Sequence, residues 1–445
     1  MHETMGFDFW AATAIFVGSY ALIITEKVHK TIVAICGGSL ILILKVLTQH
    51  EAFSIPELGI DWNVIFLLIS MMVIVNLMKP TGVFEYVAIK SAKLGRAEPV
   101  RLLVIFSAVT AILSAFLDNV TTVLLIVPVI TFITDKLDVD PIPFLISAAL
   151  ASNIGGTATL IGDPPNIMIA SRAHLDFMDF VYHLTPVILI IIAAYAIVFG
   201  LVFRGRLSTR NDLKARVMAM DEREEIKDGP MLVKSLMVLG AVLAGFVFHG
   251  MLGYEPATVA LAGAGLMMLV TKQDQPHGVL ADLEWATLFF FIGLFIIVGA
   301  VVKVGLVSIM SSGILALTHG NMFSTSMLVM WFSAFASAFI DNIPYVATMN
   351  PLIADMAARL WPGLTTAQQL HHPDLMPVWW SLALGACLGG NGTVIGASAN
   401  VIVVGMSEKL GFKISFGRFM LYGMPVMIIS VAISSLYVWV RYYLL

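Results

Sequence analysis

Two polar motifs, each present twice and each embedded in apolar sequence, constrain the fold of this chain more than any other feature. The first motif, residues 114–119 (SAFLDN), recurs as residues 337–342 (SAFIDN). The second, residues 155–166 (GGTATLIGDPPN), recurs as residues 389–400 (GGNGTVIGASAN). The first pair is separated by 223 positions and the second by 234, which places one insertion in the second half, around residues 360–377. We infer an internal duplication.

The composition indicates a membrane protein. The 445 residues are 59% hydrophobic and 12% charged, whereas a soluble protein carries about 25% charged residues. Several apolar stretches, such as residues 187–203, approach or reach the roughly 17–25 residues that span a bilayer. We therefore predict an all-α polytopic membrane protein. A net charge of −4 without a basic stripe gives no sign of a nucleic-acid partner.

Enzymatic chemistry is not expected. The sequence contains no phosphate-binding loop, nucleophile elbow or histidine–glutamate metal helix. The two cysteines are too few for a thiolate metal site, so neither a cofactor nor a resident metal is predicted.

The predicted topology has five crossings in each half, which in the first half begin near residues 9, 31, 62, 142 and 181. Residues 101–134 then form a re-entrant hairpin. An odd number of crossings inverts the second half relative to the first. If each hairpin instead crosses the membrane twice, the number per half is still odd, and the sequence leaves that alternative open.

The predicted domains are an N-terminal repeat (1–203), a charged cytoplasmic linker (204–229) and a C-terminal repeat (230–445). With the linker in the cytoplasm, most of the 25 Lys and Arg residues, Lys30 included, lie on cytoplasmic loops or helix ends, as the positive-inside rule requires. The exceptions are Lys45, Arg172, Lys303, Arg359 and Arg441. This orientation predicts an inner-membrane protein with both termini outside.

Three carboxylates lie deep in apolar sequence: Asp118, Asp163 and Asp341. Each costs about 2.5–3.5 kcal/mol at the bilayer centre on insertion scales, which makes it a candidate functional residue. The alternative is helix capping, a role that Asp favours. The two roles are compatible, because a capping carboxylate can also be an ion ligand. Asp163 has Ala397 as its counterpart, so one half carries an extra acid.

The Gly-rich motifs predict two broken helices, one in each half. Paired glycines allow close backbone approach, and the prolines at 164 and 165 cannot continue a helix. Glycine-mediated helix packing is the alternative. The predicted substrate- or ion-binding residues are Asp118, Asn119, Thr121, Asn153, Gly155, Gly156, Thr157, Thr159, Asp163, Asn166, Asp341, Asn342, Gly390, Asn391, Thr393 and Asn400.

Residues 155–166, together with residues 118–122 (DNVTT), resemble the ion transporter superfamily, and within it the ArsB/NhaD and P-protein branch of permeases. The resemblance implies a scaffold domain, a moving transport domain with two opposed hairpins, elevator-type alternating access and a homodimer. It also leaves room for an accessory ATPase subunit. The hairpin tips would be Asp118–Asn119 and Asp341–Asn342.

The acidic tips bear on the substrate. Dicarboxylate symporters of this superfamily carry Ser-Asn-Thr at the tips, where this chain has Asp-Asn. Two carboxylates repel a bound dicarboxylate at low effective dielectric, whereas protons, Na⁺ or a neutral metalloid hydroxide suit them. We expect a proton-coupled antiporter that exports arsenite or antimonite. The alternative is Na⁺/H⁺ exchange, and sodium-coupled dicarboxylate transport is less favoured.

Overall fold

The computed structural model describes residues 6–25, 27–55, 57–271 and 276–444, which form α-helices joined by turns and loops. The helices of the first half are α1 (Phe7–Thr25), α2 (Lys30–Ile43), α3 (Gln49–Ser54), α4 (Trp62–Met78), α5 (Val83–Leu94), α6 (Pro99–Phe116), α7 (Asn119–Lys136), α8 (Ile142–Gly156), α9 (Pro164–Ala173), α10 (Phe177–His183) and α11 (Thr185–Val202). The charged segment that follows contains α12 (Asn211–Met218) and a 3₁₀ turn at Glu222–Glu225.

The second half repeats this order. Its helices are α13 (Gly229–Leu252), α14 (Pro256–Val270), α15 (Pro276–Ala281), α16 (Trp285–Lys303), α17 (Leu306–Thr318), α18 (Met322–Phe339), α19 (Asn342–Leu360), α20 (Thr366–Leu370), α21 (Met376–Gly389), α22 (Ser398–Lys409) and α23 (Phe416–Trp439). Helix α20 lies in the predicted insertion. The all-α fold with two repeats is thus confirmed, while the domain boundaries at 203 and 230 stay predictions.

Nine helices among the described residues are long and apolar enough to cross a membrane: α1, α4, α6, α7, α11, α13, α16, α18 and α23. Shorter apolar helices, including α2, α8, α14 and α21, lie between them. The chain is therefore a multi-pass membrane protein.

The helices pack in two groups, and each group takes members from both halves. In the first group α2 packs against α16 and α4 packs against α14, with α1 and α13 beside them. In the second group α6 packs against α8, and α18 packs against α21 in the corresponding place. Helix α7 also contacts α22, and α19 contacts α9. Each hairpin therefore packs on the broken helix of the other half.

Both predicted helix breaks are present. Helix α8 ends at Gly156 and α9 begins with two prolines in its first turn, where a missing N–H is harmless. In the second half the helix ends at Gly389 and resumes at Ser398. Most of the residues in between lie outside the helices, so several of their carbonyl groups need other partners.

Glycine 155 allows α8 to touch α6. A Cβ atom built at this position would lie 2.1 Å from the carbonyl oxygen of Ala111. We expect Gly155→Ala to lower the free energy of unfolding by about 1–3 kcal/mol, because the rigid backbone of Ala111 occupies the space that the added methyl group needs. Gly240→Ala is the matched control, since no atom lies within 4 Å of its Cβ position. Equal thermal unfolding midpoints in detergent would contradict this close packing.

Candidate functional site

The two hairpin tips are capped by their own carboxylates. Asp118 caps α7: its Oδ1 accepts the backbone N–H of Thr121 at 2.9 Å, and its Oδ2 accepts the Thr121 hydroxyl. Asp341 caps α19, accepting the N–H of Ile343 at 3.1 Å. Both acids are buried, with 7% and 6% of their surface exposed. The capping role considered for these residues is therefore real, and it orients both carboxylates at the tips.

Asp163 is where the two tips meet. The Nδ2 atom of Asn119 donates to Asp163 Oδ1 at 3.1 Å. The Nδ2 atom of Asn342 lies 3.3 Å from Oδ1 and 3.2 Å from Oδ2 of the same carboxylate. Asp163 is 0% exposed. One buried carboxylate thus binds side chains from both halves of the chain.

Asn153 extends this network into the second broken helix. Its Oδ1 accepts from Asn119 at 3.3 Å. Its Nδ2 donates to Asn391 Oδ1 and to Asn400 Oδ1, both at 3.0 Å. The Nδ2 atom of Asn391 is buried and has no hydrogen-bond partner within the part of the chain that the structure describes. The centre is therefore a continuous set of amides around one carboxylate.

Asn166 and Asn400 satisfy the carbonyl groups that the helix breaks leave free. Asn166 Nδ2 donates to the carbonyl oxygens of Thr157 and Thr159 at 3.2 and 2.9 Å. Asn400 Nδ2 donates to those of Gly390 and Thr393 at 2.7 and 2.9 Å. The side-chain N–H groups of both residues therefore hold the backbone of the breaks.

Other predicted site residues bind locally. The hydroxyl of Thr159 donates to the carbonyl oxygen of Ala115, and that of Thr393 donates to Ala338 at 2.5 Å. The Thr157 hydroxyl donates to the carbonyl of Asn153, four residues back, at 2.7 Å. The remaining glycines, Gly156 and Gly390, lie close to the carbonyl oxygens of Gly162 and Gly396, so a Cβ atom there would be 2.5 and 3.0 Å from them. Thr159 and Thr393 thus join each break to its hairpin, whereas Thr157 and the two glycines make contacts within their own broken helix.

Lys30 is a site residue that the sequence did not reveal. Its Nζ lies 2.5 Å from Asp341 Oδ2 and donates to Ser398 Oγ at 2.7 Å. The positive-inside rule places Lys30 on a cytoplasmic loop or helix end, because the rule does not distinguish one lysine near a helix end from another. Its exact position, at the start of a helix between a hairpin tip and a helix break, depends on contacts more than 300 residues apart.

Glu284, just before α16, is a second such residue. Together with Asp118 and Asp163 it lines a cavity of about 10 Å³, whose wall also includes Asn119, Asn342 and apolar residues. That volume suffices for about one water molecule. In this conformation the cavity has room for one water molecule or one small cation. A larger solute requires the helices to move. No cluster of three potential metal ligands occurs in the ranges that the structure covers.

Comparisons with known proteins establish the family. A family profile described as "Citrate transporter" matches residues 20–385. The chain belongs to the citrate transporter family. "Uncharacterized transporter Mb2703" of Mycobacterium bovis is 46% identical, over 98% of this chain and 99% of its own length. The human "P protein" is 30% identical over 97% of this chain, which spans 60% of the P protein.

A solved structure shares the fold. The crystal structure of the Alcanivorax borkumensis YdaH transporter matches with a TM-score of 0.57 and 13% identity, over 97% of this chain and 98% of that one. The predicted resemblance to the ion transporter superfamily, with the P protein among its relatives, is confirmed. This citrate transporter family member is a secondary membrane transporter.

Proposed function

We propose that this family member is a proton-coupled antiporter in which Asp163 binds the coupling proton together with the tip carboxylates Asp118 and Asp341. The observation that supports this role is the surrounding of Asp163. The carboxylate is completely buried, accepts amide groups from both hairpin tips and has no ion-pair partner among the described residues. An ionised carboxylate buried without a counter-charge costs several kcal/mol. Binding a proton or a small cation removes that cost.

The proposed substrate is arsenite or antimonite, exported as the neutral hydroxide. Amide groups and hydroxyls line the centre, and these groups hydrogen-bond a neutral hydroxylated solute. Citrate, which the family is described as carrying, brings several negative charges toward Asp118, Asp163 and Asp341. Two like charges 4 Å apart repel by about 4 kcal/mol at an effective dielectric of 20. Lys30, the cation at this site, is already paired with Asp341.

Na⁺/H⁺ exchange is the second candidate function. The observation that favours it is the size of the cavity between Asp118, Asp163 and Glu284, which is about 10 Å³. A small cation fits there without rearrangement, and carboxylate and amide oxygens are suitable ligands for a hard cation.

We also propose how the molecule moves. The helix group of α1, α2, α4, α13, α14 and α16 would serve as the scaffold, and the group that carries the tips and breaks would travel past it as an elevator. The observation that supports this division is that each group packs mainly within itself. The proposal further includes a homodimer in the inner membrane, with both termini outside and residues 204–229 in the cytoplasm.

The test is collapse of an imposed pH gradient in proteoliposomes. Arsenite, antimonite, Na⁺, Li⁺ and citrate are added separately. We expect arsenite or antimonite to collapse the gradient, and Asp118→Asn and Asp341→Asn to slow the collapse at least tenfold. Asp221→Asn, in the exposed part of the charged segment, is the control that should behave as the wild type.

Each outcome of this assay separates the candidates. A response to Na⁺ or Li⁺ alone, lost in the two tip variants, establishes cation/proton exchange and rules out the metalloid substrate. A response to citrate alone contradicts both candidates.

A further inference from the structure

The ion pair between Lys30 and Asp341 joins three separate parts of the fold. Lys30 is the first residue of α2, Asp341 is the tip of the second hairpin, and Ser398 begins α22. The Ser398 hydroxyl accepts from Lys30 Nζ at 2.7 Å and lies 2.9 Å from Asp341 Oδ2, to which it can donate. The lysine side chain is 25% exposed and the aspartate 7%. The pair is thus largely shielded from solvent.

Helix stability does not explain the position of Lys30. A cation at a helix N-terminus opposes the helix dipole, which is positive at that end. Lys30 lies at the N-terminus of α2, and its ammonium group also faces the N-termini of α19 and α22. The carboxylate of Asp341 offsets these unfavourable interactions, and the ring of Phe290, whose centroid lies 5.0 Å from Lys30 Nζ, adds a cation–π contact. The location of the lysine therefore points to a role in the pair itself.

The arrangement differs between the two hairpin tips. Asp118, the counterpart of Asp341, forms no ion pair in the part of the chain that the structure describes. It faces the cavity that contains Glu284 and Asp163 instead. Only the second tip is thus tied to a cation.

The pair also connects the two helix groups. Helix α2 packs against α1 and α16 of the first group, whereas α19 packs mainly against α9, α17 and α21 and less extensively against α16. Any movement of the second group past the first must separate Lys30 from Asp341. Separating them while Asp341 is ionised leaves two poorly solvated charges without partners, which is strongly unfavourable.

We propose that Lys30 is a coupling residue: it holds the second hairpin tip against α2 while Asp341 is charged, and it releases the tip when Asp341 binds a proton or a cation. The Lys30 ammonium group and the coupling ion compete for the same carboxylate, that of Asp341. A tip that has no ion bound is therefore held in place by Lys30. The other charged groups near the pair, Asp163 and Glu284, are acidic and cannot replace Lys30. This inference rests on the proposed function only in requiring a cationic coupling ion.

Leak in the absence of any substrate tests this role. Proteoliposomes with an imposed pH gradient, valinomycin and potassium, in buffers without Na⁺, Li⁺, arsenite or antimonite, are followed with a pH-sensitive dye. We expect Lys30→Gln to leak protons at least tenfold faster than the wild type, because the unloaded tip is free to move. Lys30→Arg should stay within twofold of the wild type. Lys27→Gln, an exposed neighbour, is the matched control.

A second substitution in the same chain identifies the source of the leak. Adding Asp341→Asn to Lys30→Gln removes a carboxylate that binds the coupling ion together with Asp163, so the leak should return to the wild-type rate. Ser398→Ala retains both charges and serves as an independent variant. We expect it to leak about threefold faster than the wild type. A Lys30→Gln protein as tight as the wild type would overturn the proposal, as would a leak that persists in the double variant. Since no substrate is present, an incorrect substrate assignment appears only in the substrate assay.

Discussion

Replacing Asp163 by Asn should reduce coupled transport at least a hundredfold while the fold is retained. The Asn side chain cannot take up a proton near neutral pH, so the variant lacks a group that we propose for binding the coupling proton. The amide is nearly isosteric with the carboxylate. Among the described residues the Asn342 side chain hydrogen-bonds to Asp163 alone, so its own amide can turn over and offer its oxygen to the new N–H group. The loss of stability should therefore stay near 1–2 kcal/mol.

Transport and thermal stability of Asp163→Asn are measured together, with Asp61→Asn as the control. Asp61 caps α4 and accepts backbone N–H groups from Asn63 and Val64, a role that Asn also fills. The control should retain its transport rate. If Asp163→Asn transported at the wild-type rate with an unchanged pH dependence, Asp163 would have no role in coupling.

The local features of the site could be predicted from the sequence. Asp and Asn at the end of an apolar run predicted a capped hairpin tip, and Asp118 and Asp341 cap their helices as that pattern indicates. Paired glycines followed by prolines predicted the breaks, and α9 begins at Pro164. These signals are short-range, because a cap or a break depends on a few neighbouring residues.

The contacts that bring the site together could not be predicted. Asp163 stood out as a carboxylate deep in apolar sequence with Ala397 at the equivalent position, but its contact with both tips depends on the packing of the two halves. Lys30 and Asp341 are 311 positions apart, and nothing in either neighbourhood marks them as partners. The direction of the Asn166 amide could not be predicted either, and its Nδ2 donates to the carbonyl groups of its own break. Amide direction depends on which acceptors the folded backbone leaves unsatisfied.

Asn153→Leu should both destabilise the protein and abolish transport, because Asn153 links the first half to the second. Leucine has nearly the same size but neither donates nor accepts hydrogen bonds. It would leave the side-chain oxygens of Asn391 and Asn400 without their shared donor. Each buried polar atom that loses its partner costs about 1–3 kcal/mol, so we expect a loss of about 2–5 kcal/mol in the free energy of unfolding.

The matched control is Asn76→Leu, since Asn76 donates one hydrogen bond, to the carbonyl of Asp282 at 3.2 Å, from a partly exposed position. Its expected cost is about 1 kcal/mol or less. Thermal unfolding midpoints at one scan rate compare the variants, because unfolding of a membrane protein in detergent is not reversible enough for equilibrium analysis. If both variants unfolded at the same temperature, the Asn153 network would contribute nothing to joining the halves. If Asn153→Leu were less stable yet transported normally below its unfolding temperature, the network would hold the halves together without taking part in transport.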